Sequence, residues 1–205
     1  MESSTTDGRR REYRMGARAD AVQATATAVL AAAIALFTDK PYEEVSLQEV
    51  AARAGVTQRT VIRRFGTKER LFVAAMDHAV DQMVRERDLA PVDDVAGAVR
   101  NVVDHYERWG TNRLRMVSQE ERIPVIREHV QLGRRMHREW VERTFPAVLA
   151  GLSGAARGRR VTGLVVLTDL STWKLLRRDL GLSRAQTERT LTDLINALQQ
   201  AQGER

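Results

Sequence analysis

Ser46-Leu47-Gln48-Glu49-Val50-Ala51-Ala52-Arg53-Ala54-Gly55-Val56-Thr57-Gln58-Arg59-Thr60-Val61-Ile62-Arg63-Arg64-Phe65 decides the fold. Ser46 followed three residues later by Glu49 is the pattern of a capping box: the serine accepts from an orphan amide and the glutamate reaches back. Leu47, Val50, Ala51 and Ala54 fall on one face of the helix that follows. Gly55 supplies the positive φ that ends it, and Thr57 caps the next helix, which runs to Phe65. Val61 and Phe65 lie one turn apart and point inward, with Val56 beneath the turn. Gln58, Arg59, Thr60 and Arg63 or Arg64 are left for the outer face. A positioning helix, a tight turn and a second helix with a polar outer face make a helix-turn-helix.

Charge supports a nucleic-acid reading. The stretch from Ser46 to Arg70 holds six basic residues against two acidic ones, which is +4 of the chain's net +6. Gln58 and Arg59 suit base edges in the major groove, since Gln pairs with adenine and Arg with guanine through two bonds each. Arg63, Arg64 and Lys68 suit phosphates, which fix register and make binding salt-dependent. Thr60 suits either role, while Ser46 and Thr57 complete the predicted DNA-binding set from the two helix starts.

The flanks are helical. Val22, Ala26, Val29, Ala33 and Phe37 form one stripe from Arg18 to Phe37, and Asp39-Lys40-Pro41 ends it. Thr67 opens a further helix through Leu71, Phe72, Ala75, Met76, Ala79 and Met83. The chain from about Ala19 to Met83 resembles the DNA-binding domain of the TetR family of transcriptional regulators. The resemblance rests on Ile34-Ala35-Leu36-Phe37, on Val45 to Thr57, and on Thr60-Val61-Ile62-Arg63-Arg64-Phe65-Gly66-Thr67-Lys68-Glu69-Arg70-Leu71-Phe72. The family commonly has tyrosine where this chain has Ile62, and histidine or tyrosine where it has Arg64. Ile62 donates no hydrogen bond; Arg64 restores a phosphate contact.

Residues 1–17 are polar and aperiodic, with Arg9, Arg10, Arg11 and Arg14, and read as a disordered basic tail. Residues 18–66 read as the helix-turn-helix domain, 67–90 as a connecting helix and 91–205 as a carboxy-terminal domain. In that last part Pro91 and Asp93-Asp94 mark a boundary, and Val95, Val99, Val102, Tyr106 and Trp109 form a stripe expected to end at Gly110. Thr111 to Ser118 reads as a short separate segment, with Glu120-Glu121 a solvated pair beyond it. Pro124 suits the first turn of a helix that Pro146 kinks or ends. Gly151 to Gly158 reads as a linker. Val161 to Leu176 is apolar almost all round and needs cover on more than one side. Within it, Asp169 is a carboxylate expected to be buried, for which an arginine across a dimer is the favoured partner and a ligand the other. Ser183-Arg184-Ala185-Gln186 is a second candidate capping box, opening a last helix with Leu191, Leu194, Ile195 and Leu198 on one face. Strand-like alternation is absent.

The expected fold is therefore all-α: an amino-terminal three-helix helix-turn-helix domain plus a carboxy-terminal helical domain for ligand binding and dimerisation. The resemblance implies a homodimer held by the two late helices, a double-stranded DNA operator as partner, and a small-molecule effector. The candidate effector residues are His105, Trp109, Met116, His129, Met136, Trp140 and Trp173, each of which also reads as core. No cysteine exists, and His105, His129 and His137 lack a metal motif, so no metal or cofactor is expected. No nucleophile elbow, phosphate loop or spaced carboxylate pair points to an enzyme. No segment reads as a membrane span or an apolar signal, which makes a cytoplasmic location the expectation. The alternative to an effector-released repressor is an interaction module that kept this fold and lost DNA binding, with Ile62 as its one hint.

Overall fold

The structure is a computed structural model that describes residues 4–201, with side chains from Asp20 onward except Gln82. Among the described residues all regular structure is helical. Two compact units divide the chain at Ala79 and Val80.

In the first unit, α1 (Ser4–Asp39) packs on α2 (Leu47–Arg53), which precedes α3 (Gln58–Phe65); α4 (Lys68–Arg87) begins here and continues into the second unit. The stripe Ala26, Val29, Ala33 and Phe37 is buried, whereas Val22 is half exposed. Phe72 on α4 closes this core. Its ring meets Phe37 edge-on at 5.1 Å and Tyr42 at 5.4 Å, and Phe37 and Tyr42 stack on each other at 5.6 Å.

Two expectations need correction here. The first helix runs back through residues 4–17, which the sequence suggests is a disordered tail. No proline interrupts the stretch, and its four arginines, Glu12, Met15 and Ala17 are good helix formers that outweigh Gly8 and Gly16. The absence of a spanning segment also fails on length and composition. Within Asp20–Asp39 an 18-residue window has a mean hydropathy of 1.8, enough to cross a membrane by length and composition alone. Its apolar character comes largely from alanine, and its Ala26, Val29, Leu36 and Phe37 are buried in this unit's core.

The second unit contains α5 (Val95–Val117), α6 (Pro124–Thr144), the single turn α7 (Pro146–Leu149), α8 (Gly154–Leu167), α9 (Leu170–Lys174) with a π-helical turn at Leu175–Asp179, and α10 (Arg184–Gln200). α10 lies against α5 and α8, and α6 against α5 and α8. Val99, Val102, Val103, Val141, Phe145, Leu164, Leu191 and Ile195 fill the space between them. Asp94 caps α5 by accepting from Gly97 N at 2.9 Å. Pro124 stands at the start of α6, and Ser183 with Gln186 forms the reciprocal capping box of α10. Asp93 adopts φ 60°; its amide donates to Thr144 O and its carboxylate accepts from Ala147 N at 2.7 Å, tying the α5 entry to the α6–α7 corner.

Further local expectations differ. Gly110 does not end α5; it lies seven residues inside it. A Cβ there would meet the Trp173 ring at 2.6 Å, so the glycine serves close packing rather than a turn. For the same reason residues 111–117 continue the helix. The linker is shorter than expected, because α8 starts at Gly154. The apolar run Val161 to Leu176 is broken at Thr168-Asp169. The Thr168 hydroxyl donates back to Leu164 O, and the Asp169 carboxylate accepts from Ser171 N. Short polar side chains thus compete with the helical ladder, and Asp169 is a helix cap, not a buried carboxylate awaiting an arginine. Glu120 is not simply solvated: its two oxygens accept from Arg134 at 2.7 Å each.

Candidate nucleic-acid interface and the interior of the second unit

The turn between α2 and α3 is fixed by local bonds. Ser46 Oγ accepts from Glu49 N at 3.1 Å, Gly55 takes φ 68°, and Val56 N donates to Ala51 O at 3.0 Å. The reciprocal half of the first capping box is not formed, because the Glu49 carboxylate pairs with Lys40. Thr57 Oγ1 accepts from Thr60 N and also bonds the Thr60 hydroxyl at 2.9 Å. Both capping hydroxyls remain exposed at the start of their helices.

Val61 is fully buried and anchors α3, while Gln58, Arg59, Arg63 and Arg64 are all exposed on it. A run of eight residues therefore offers one amide and three guanidiniums to solvent. Ile62 stands among them with 45% of its surface exposed. Thr60 is half-buried and engaged with Thr57. Lys68 is more constrained than a free phosphate contact: its ammonium donates to Glu43 O at 3.2 Å and lies 4.5 Å from the centre of the Tyr42 ring. Burial lowers its pKa, against a smaller opposing pull from Glu43. Tyr42 was not singled out in the sequence, although an aromatic residue just after Pro41 is a reasonable place to look for a support.

In the second unit the predicted effector residues divide by environment. His105, Trp140 and Trp173 are buried; Trp109, Met116, His129 and Met136 are half-buried on α5 and α6. Trp173 is held in place, with Nε1 donating to Glu107 and its ring against Gly110 and Tyr106. Trp109 Nε1 donates to Glu86 at 3.1 Å, and Trp140 Nε1 donates to Arg87 O at 3.1 Å. The sequence reasoning missed Arg87 and Arg113. Arg87 lies one turn beyond Met83 on the α4 stripe, and Arg113 one turn beyond Trp109 on the α5 stripe. An arginine in phase with an apolar stripe is the signal that would have found both.

The bonds around these arginines settle two tautomers. Arginine only donates, so the Arg87 Nη2 bond at 3.0 Å makes His137 Nδ1 an acceptor, and the Arg113 Nη1 bond at 3.3 Å does the same for His105 Nε2. His137 carries its proton on Nε2, which faces Thr168 Oγ1 at 3.1 Å; the Thr168 proton goes to Leu164 O. Burial, then the charge of Arg87, pushes His137 down to about 4 and His105 to about 2.

These shifts predict acid sensitivity. A histidine whose folded pKa is depressed stays neutral while the unfolded chain takes up a proton, so stability falls as pH drops below about 6.5. For His137 the window extends down to about 4. His137→Gln keeps a donor and an acceptor but does not titrate. Urea unfolding at pH 7 and pH 4.5 should show the parent losing about 2–3 kcal/mol more than the variant. Equal losses would show that this imidazole does not resist protonation.

Residues 29–75 match the family model described as bacterial regulatory proteins, tetR family. A helix-turn-helix-type transcriptional repressor of Mycobacterium tuberculosis is 36% identical over 75 residues, which is 36% of this chain and 40% of that protein. The chain thus matches well under half the length of this curated relative. Among solved structures, a tetR-family transcriptional regulator from Streptomyces coelicolor aligns over 85% of this chain and 79% of its own, with a TM-score of 0.67 at 19% identity. A putative transcriptional regulator from Saccharomonospora viridis, solved in complex with choline, aligns over 83% of this chain and 95% of its own, with a TM-score of 0.59 at 16% identity. These two likenesses concern the fold. The capped α2–turn–α3 unit lies within the residues that are similar to the tetR family of bacterial regulatory proteins.

Proposed function

We propose that the chain is a cytoplasmic, ligand-responsive transcriptional regulator, a repressor that leaves a palindromic operator when a small molecule binds its carboxy-terminal unit. The observation that carries the reading is the outer face of α3, where Gln58, Arg59, Arg63 and Arg64 are exposed on a helix anchored by buried Val61. Such a face combines base-reading and phosphate-gripping groups on one rigid element. The expected domains are a helix-turn-helix part through residue 66, a connecting helix to residue 90, and an effector and dimerisation part from residue 91. Homodimerisation through α8 and α10 is supported by their exposed apolar residues, Val166 at 56% and Leu194 at 46%. Two α3 helices in a dimer would address successive major grooves, about 34 Å apart. An effector must bind the DNA-competent and incompetent arrangements unequally to shift them. The choline in the Saccharomonospora viridis regulator shows that a protein of this fold accepts a small molecule.

The test is duplex binding by the full chain, using DNA from upstream of its own gene and a scrambled duplex. Affinity should fall steeply with salt, with a log–log slope of about one per phosphate contact. Arg59→Ala should cost about 1–3 kcal/mol on the preferred duplex and narrow its advantage over the scrambled one. Lys68→Ala should weaken both duplexes alike. Unchanged preference in Arg59→Ala removes that residue from base reading. No binding even at low salt would instead favour the interaction module, for which exposed Ile62 on α3 is the supporting observation.

A further inference from the structure

Arg87 closes α4 in an unusual setting. The residue is half-buried as a whole, but its Nε is sealed from solvent and has no hydrogen-bond partner. Its guanidinium lies 3.9 Å from the Trp140 ring centre and 5.9 Å from that of Tyr106. Among the described residues no carboxylate pairs with it, and none pairs with Arg113, whose Nη1 meets only His105 and Met83 Sδ. The acids nearby are engaged elsewhere. Glu86 accepts from Trp109 and faces Arg108, Asp169 accepts from Ser171 N, and Glu120 holds Arg134. The two imidazoles between the arginines only accept from them, so they add no negative charge. His105 Nδ1, which carries that ring's proton, is also sealed and unpartnered.

A buried charge without a counter-charge is costly, and native interiors seldom keep one. Stacking on Trp140 and the interaction with the Tyr106 hydroxyl offset part of that cost, but neither supplies a negative charge. Two guanidiniums and a sealed imidazole N–H are all donors, and an anion is the chemistry that answers donors. Around them stand Trp140, Tyr106 and Met83, which suit an apolar body.

We infer that Arg87 and Arg113 form the receptor for the carboxylate of an organic acid, and that the effector of this regulator is an anion. This rests on reading the second unit as the effector domain, and it separates this chain from the choline-bound relative, whose ligand is a cation.

Thermal unfolding and calorimetry of the full chain provide the test, with benzoate and octanoate as carboxylates, benzamide as the neutral match for benzoate, inorganic phosphate, and choline, all at constant ionic strength. A carboxylate at about ten times its dissociation constant should raise the melting temperature by about 3–6 °C, and benzamide should not. Arg87→Met should bind that carboxylate at least about tenfold more weakly. Arg113→Met should also bind it more weakly, and it keeps the test open if Arg87→Met fails to fold. Equal responses to benzoate and benzamide, or no response to either carboxylate, overturn the inference. So does a response to phosphate or choline alone, although that outcome leaves a ligand-binding domain standing. Duplex retention read in the same samples separates the two ideas. Carboxylate binding that never changes DNA affinity upholds the anion receptor and removes the effector reading.

Discussion

Phe72→Ala is expected to destabilise the first unit by about 3–5 kcal/mol, the range for removing a fully buried phenylalanine. The ring is wholly inaccessible and joins two others: Phe37 on α1 at 5.1 Å and Tyr42 at 5.4 Å, both edge-on. No neighbour can close the space easily, because both remaining rings are themselves fixed by stacking on each other. A loss of this size is a large part of the roughly 5–15 kcal/mol that holds a typical domain. The consequence reaches the proposed DNA-binding surface, since Tyr42 supports the Lys68 ammonium. Thermal unfolding followed by circular dichroism should therefore show an early transition, and duplex binding should fail above it. A loss below about 1 kcal/mol would mean that the three rings do not act as one packed group.

The second large effect concerns Trp173 and Gly110. Trp173→Ala should cost the second unit about 3–5 kcal/mol, again the cost of emptying a buried aromatic site. The sharper expectation is for Gly110→Ala. In an unhindered helix that change gains about 1 kcal/mol. Here the new methyl would lie 2.6 Å from Trp173 Cζ3 and 2.7 Å from Cη2, and overpacking costs about 1–3 kcal/mol. The ring cannot swing clear cheaply, because Nε1 is bonded to Glu107, which Arg177 holds in turn. The clash wins, so Gly110→Ala should destabilise. In a Trp173→Leu background the obstacle is gone, and the same change should become stabilising. A double-mutant cycle by urea unfolding measures the difference, which should reach about 1–3 kcal/mol of coupling. Additive effects would mean that the helix shifts to make room.

These two sites show how far the sequence could be read. The α2–turn–α3 unit was legible because its determinants are local: Ser46 and Thr57 cap the amides three residues on, Gly55 takes the positive φ, and Val61 turns inward. Pro124 and Ser183 were legible for the same reason. Gly110 was not, because a glycine in a helix reads alike whether it ends the helix or admits a ring, and the ring here is 63 residues away. Asp169 carried a local signal that the long apolar run obscured, since an aspartate two residues before a serine amide is a ready cap. For the exposed residues of α3 and Lys68, chain order showed which face is polar but not that Lys68 leans on Tyr42 and Glu43 O. For the interior, tryptophans and histidines drew attention by type, whereas the two arginines beside them show only in their phase with the apolar stripes of α4 and α5.

That position 87 holds an arginine, and not a lysine, fixes when its charge exists. A buried lysine would drop its proton near neutral pH and become a neutral amine, so its site would be cationic only in acid. Burial lowers the pKa of Arg87 as well, but a guanidinium starts too high to be discharged within the range where proteins fold. Acid and base therefore cannot switch this site off. An anion held by Arg87 would therefore meet the same positive charge at every working pH, and its binding would report the ligand rather than the medium.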